Sequence, residues 1–113
     1  ELWLIDHGAA LYFHHNWPGY LERADSPFPL VRDHTLLPLA TALSEADADM
    51  RARLSPALFA EIVALAPEAW LAEESIFPDT EAHRRAYVDY LTARLEASAR
   101  FVEEADRARR ALV

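Results

Sequence analysis

Both glycines of this 113-residue chain, Gly8 and Gly19, fall at its N-terminal end. Glycine adopts left-handed and other irregular backbone conformations without steric cost, so irregular backbone is expected to concentrate there. Beyond Gly19 the chain must turn with proline, serine and aspartate, and its pattern reads as helical. Pro18-Gly19 makes a first break. Ser26-Pro27-Phe28-Pro29 makes a second, its two prolines holding the backbone extended.

Successive helices are then predicted from their start signals. Asp33 is expected to cap a segment through Ala42, with Pro38 kinking it or lying in its first turn. Ser44 with Asp47 reads as a capping box for a short helix ending near Leu54. Ser55-Pro56 places serine at an N-cap and proline at the first helical position, where the missing N–H costs nothing. Leu58, Phe59, Ile62, Val63 and Ala66 follow at helical spacing until Pro67. Residues 67–71 read as one more turn with Trp70 packed inward. Asp79-Thr80 opens the longest segment, with Val88, Leu91, Leu95, Val102 and Ala105 on one buried face and a break near Ser98 dividing it into two helices. The opposite face pairs Glu81 with Arg85, Glu96 with Arg100, Glu103 with Arg107 and Asp106 with Arg110 at i,i+4. Such exposed pairs contribute only ~0.3–0.5 kcal/mol each, so they mark a solvated surface more than they hold the fold.

Composition excludes several chemistries. The chain has no cysteine, which removes disulfides, thiolate catalysis and zinc–thiolate sites. It also has no lysine, so neither a Schiff-base residue nor the phosphate-holding lysine of a kinase can come from these residues. The formal net charge is −8 and no basic cluster stands clear of acidic neighbours, so nucleic acid is not an expected partner. No apolar run approaches the ~20 residues needed to span a bilayer, and no membrane association is expected. With 52% hydrophobic and 27% charged residues the chain reads as one soluble globular domain, and a cytoplasmic location is expected.

Leu2-Trp3-Leu4-Ile5 is a short strand-forming run that delivers Asp6 into a turn, with Gly8 two residues later. A carboxylate at a strand end, followed by a glycine that lets the backbone swing away, is one way to present a magnesium ligand to nucleotide phosphates. Turns also use Asp and Gly constantly, so the trio alone reads first as a turn-former and only second as a metal ligand. A rival set is His7, His14, His15 and His34 with Asp6 as a transition-metal site. His14 and His15 are adjacent and point different ways on a helix or a strand, which leaves that set without a geometry. Tyr12, Phe13, Trp17 and Tyr20 read as core packing beneath the Asp6 turn. Arg32 and Asp33 are expected to pair or to support the turn, His83 to lie on the surface, and Tyr87 and Tyr90 to lie on or beside the buried face.

The run L-W-L-I-D-H-G-A-A-L-Y-F-H-H-x-W, with F-P-L-V-R-D-H, P-E-A-W-L and A-Y-V-D-Y-L-T-A-R-L after it, resembles the C-terminal half of bacterial HipA-like kinase-domain proteins, relatives of HipA and the phosphatidylinositol kinases. The resemblance covers nearly the whole chain. It implies a mainly α fold, the helical C-terminal subdomain of a kinase-like C-lobe with one or two short N-terminal strands and four to six helices. Residues 1–113 would be a single domain of a longer protein, whose N-lobe and catalytic loop lie upstream of Glu1. By the same resemblance Asp6 binds magnesium, His7 and Gly8 help form the nucleotide site, and ATP and Mg2+ are the cofactors of the parent. No catalytic residue is expected within the chain, which would be inactive alone. The missing N-terminal portion is the expected partner, and an unpaired first strand predicts a homodimer or strand exchange. A pseudokinase subdomain or a non-catalytic helical interaction module remains the alternative.

Overall fold

A computed structural model describes Leu11, residues 16–73 and residues 76–112. The described residues are mainly helical and include no strand; the predicted N-terminal strands lie outside them. Six α-helices occur among them: α1 (Tyr20–Arg23), α2 (Leu43–Arg53), α3 (Pro56–Ala64), α4 (Glu68–Leu71), α5 (Thr80–Glu96) and α6 (Ser98–Arg110). Two 3-10 turns, Pro29–Asp33 and Leu37–Leu39, connect α1 to α2.

The strongest start signals operate as their chemistry dictates. The Ser55 hydroxyl accepts a hydrogen bond from the Leu58 N–H at 3.2 Å, with Pro56 opening α3. The Asp79 carboxylate accepts from the Ala82 N–H at 2.6 Å and starts α5. The predicted break falls at Ala97, and α6 begins at Ser98.

Other expectations are corrected. No helix runs from Asp33 to Ala42: Asp33 closes one 3-10 turn and Pro38 lies in the first turn of the other. A proline so placed lacks the N–H a continuing helix would need. Ser44 caps nothing, because α2 already begins at Leu43 behind Ala42. Phe28, expected to be extended before Pro29, is instead left-handed at φ 54°, and its N–H donates to the Ser26 hydroxyl at 3.3 Å. Gly19 also takes positive φ, at 72°, where it starts α1. Glu81–Arg85 and Asp106–Arg110 pair as expected, but Arg100 reaches Asp25 at 2.6 Å and Arg107 takes Glu104 at 2.5 Å.

Packing divides between the two long helices. α5 carries α1, α3 and α4, while α6 carries α2 and both 3-10 turns. Two buried clusters result. Trp17, Ala24, Ala86 and Tyr90 form one; Leu37, Ala105 and Ala108 form the other. Trp17 meets Tyr20, Phe77, His83 and Tyr87 edge-on, with ring centroids 4.8–5.4 Å apart. Such edge-to-face pairs add about 0.5–1.5 kcal/mol each beyond area burial.

Two arginines tie loops to α5. Arg84 donates through Nη1 to the Val63 carbonyl and through Nη2 to the Ala66 carbonyl, each at 2.8 Å. Both carbonyls lie at or just past the C-terminal end of α3, where the helix dipole favours a cation, and the Val63 carbonyl also accepts from the Ala66 N–H at 3.1 Å. Arg94 donates to the carbonyls of Ala24, at 3.0 Å, and Ser26, and its guanidinium lies 4.1 Å over the Phe101 ring.

The outward faces also differ from expectation. Trp70 is 76% exposed, and its neighbour Leu71 is the buried residue of α4. His83 is buried, stacked between Phe77 and Tyr87. Its Nδ1 lies 3.2 Å from the Leu71 carbonyl, a contact that requires the proton on Nδ1 because a carbonyl only accepts.

Candidate functional site

Asp6, His7 and Gly8 lie outside the described residues, as do Tyr12, Phe13, His14 and His15. Leu11, within the same run, packs against the Trp17–Tyr90 cluster. Trp17 and Tyr20 are core side chains there, as their aromatic character predicts. Burial raises the Tyr20 phenol above its ordinary value, and the Asp89 carboxylate adds to the effect. The geometry brings no described ligand set together for a metal: no group of three His, Cys, Asp or Glu converges among the described residues. His34 uses Nδ1 to accept the Leu36 N–H at 3.2 Å, closing its own exposed turn. Arg32 and Asp33 approach to 3.7 Å as a solvated pair.

An apolar concavity lies elsewhere in the described fold. A cleft of about 470 Å3 opens between α2, α5, α6 and the Phe28 turn. Its walls are apolar, set by Val31, Leu43, Met50, Leu95, Phe101 and Val102, with Ala105 shared with the second buried cluster. These residues line a space because the two clusters close separately around α5 and α6. Leu91, which packs against the first cluster, also faces it.

Polar groups are few and sit at the edges. Ser98, 2% exposed, lines the α5–α6 end and accepts from Arg51 Nη1 at 3.0 Å. Arg94 and Asp47 also reach the wall. Sequence reading gave Arg51 no role and Ser98 only the break between two helices, because a bond spanning 47 residues leaves no periodic signal. Of the predicted stripe, Leu91, Leu95, Val102 and Ala105 face inward onto this cleft, whereas Val88 lines a separate hollow against α3.

No helix among the described residues is long and apolar enough to cross a membrane. No protein-family model, curated protein or solved structure matches the chain.

Proposed function

We propose that the chain is the helical C-terminal part of a HipA-like, ATP- and magnesium-dependent phosphotransferase. The observation that carries this reading is the run Leu2-Trp3-Leu4-Ile5-Asp6-His7-Gly8, an apolar strand-former delivering a carboxylate beside glycine, ahead of a mainly helical body. Magnesium takes one or two protein carboxylates alongside phosphate oxygens, and Asp6 is of the chemical type required. When bound, magnesium would neutralise charge developing on the transferred phosphoryl group. Asp6 would hold that ion, Gly8 would free the backbone behind it, and the helices would support the turn. The lysine and catalytic loop would come from the remainder of the protein. Phosphoryl transfer by the full-length protein tests this: Asp6→Ala should abolish turnover while leaving the far-UV circular dichroism unchanged. Undiminished turnover would remove the proposal.

A second reading, a non-catalytic helical interaction module or pseudokinase subdomain, is favoured by one observation. Leu65 and Trp70 expose 81% and 76% of their surface near the ends of α3 and α4. Residues 61–73 add three glutamates and no base. Pull-down with the N-terminal portion of the parent separates the interaction module from a kinase-like subdomain, because a kinase or pseudokinase subdomain should rebind its own remainder, and turnover then separates those two.

A further inference from the structure

Large apolar side chains exposed together and rimmed by polar groups mark contact surfaces, whereas single exposed ones are ordinary. Ile62, Leu65 and Trp70 form such a set at the junction of α3 and α4, exposed by 50%, 81% and 76%. Ile62 and Leu65 stand three residues apart on one helix face, and the Leu65 N–H bonds to the Ile62 carbonyl at 3.1 Å. Arg84 of α5 holds the Val63 and Ala66 carbonyls on either side of Leu65. The set is therefore presented on an anchored turn.

Charge selects what can cover it. Glu61 stands four residues before Leu65 on the same helix face, Glu68 opens α4, and Glu73 follows Trp70 by three residues. All three glutamates are exposed, and among the described residues none forms an ion pair. The chain has no basic residue between Arg53 and His83, and Arg84 is engaged by its two carbonyls. A second copy of this surface, or an anionic lipid headgroup, would bring like charge against these carboxylates. A cationic partner meets no such repulsion. Tryptophan is among the residue types that most often anchor protein contacts, and its ring face also attracts a cation.

We infer that Ile62, Leu65 and Trp70 dock a basic amphipathic helix of a separate protein, its apolar face on this patch and its lysines or arginines opposite Glu61, Glu68 and Glu73. The inference rests on the interaction-module reading, to which it gives a surface and a partner chemistry, and Asp6 takes no part in it.

The test titrates the full-length protein with a short amphipathic peptide of leucine and lysine, and with its counterpart carrying glutamine for lysine, followed by NMR of methyls and indoles. The lysine peptide should shift Ile62, Leu65 and Trp70 and bind about tenfold more tightly than the glutamine peptide. Leu65→Ser with Trp70→Ser leaves the net charge unchanged and should weaken binding about tenfold. Glu61→Gln, Glu68→Gln and Glu73→Gln together should erase the advantage of lysine. All five positions are exposed, so both variants should fold, and the map on the native protein decides if either does not. Equal affinity for the two peptides, or full affinity in the Leu65→Ser, Trp70→Ser variant, would overturn the inference. So would an absence of binding because the rest of the protein covers Trp70. Binding mapped instead to the exposed Leu30, Leu36 and Leu39, beside the paired Arg32 and Asp33, would overturn this surface and leave the interaction-module reading standing.

Discussion

The imidazole of His83 stacks on the ring of Phe77, with centroids 4.5 Å apart and planes 17° from parallel. Tyr87 lies on the other side at 5.2 Å, and Trp17 abuts the stack edge-on. A histidine near a helix start is therefore a core residue, joining α5 to α4 through the Leu71 carbonyl.

His83→Ala should accordingly destabilise the protein by about 2 kcal/mol, through lost ring contacts and an unpaired Leu71 carbonyl. His83→Phe should recover part of that loss by restoring the stack. Urea denaturation reads both, and a wild-type midpoint for His83→Ala would return the residue to the surface.

The orientation of α4 yields a paired prediction. Leu71→Ala should cost about 2–5 kcal/mol as a core truncation, while Trp70→Ala should stay within about 0.5 kcal/mol. Reversed costs in thermal melts would mean that α4 is rotated from the orientation described.

The Arg84 fork should not tolerate lysine, although the charge is kept. A single ammonium cannot hold the Val63 and Ala66 carbonyls in the same planar geometry. Arg84→Lys should cost about 1–2 kcal/mol, and hydrogen exchange should quicken at the end of α3. Unchanged exchange there would contradict the clamp.

Two carboxylates of α6 titrate low. A hydrogen bond from Arg107 holds Glu104 below its ordinary 4.5, and one from Arg109, with Arg110 nearby, holds Asp106 below its ordinary 3.8. A carboxylate whose pKa falls on folding adds stability above its unfolded value, and that stability is lost as pH drops through the folded value. A Glu104→Gln, Asp106→Asn variant should therefore melt slightly below wild type near neutrality. The gap should close as pH falls below 3.8, and high salt should shrink it, since the Arg107 and Arg110 guanidiniums are solvent-exposed. A gap that widens in acid would reverse the sign.

Much of the helical order was legible because it rests on local chemistry. Ser55 and Asp79 cap from within three residues. Facing was harder to read. α4 is a single turn, too short for periodicity to choose between Trp70 and Leu71. α5 packs on more than one side, so Val88, Leu91 and Leu95 describe one face while His83, Ala86 and Tyr90 describe a second. The second face also has three-four spacing, and the His83–Tyr87–Tyr90 series was its signal. The Phe28 conformation, which accompanies a hydrogen bond to the Ser26 hydroxyl, was hidden because a residue before proline is ordinarily extended. The candidate cleft needed chain-distant partners, Arg51 with Ser98, and these only a fold supplies.

The most direct measurement is nucleotide affinity of the full-length protein, by calorimetry, with and without magnesium, for the native protein and for Asp6→Ala. The proposed phosphotransferase reading predicts that magnesium tightens binding in the native protein and that Asp6→Ala loses at least about tenfold of this gain, as expected for a charged ligand to a phosphate-bound cation. The same magnesium-dependent affinity in both proteins would contradict it.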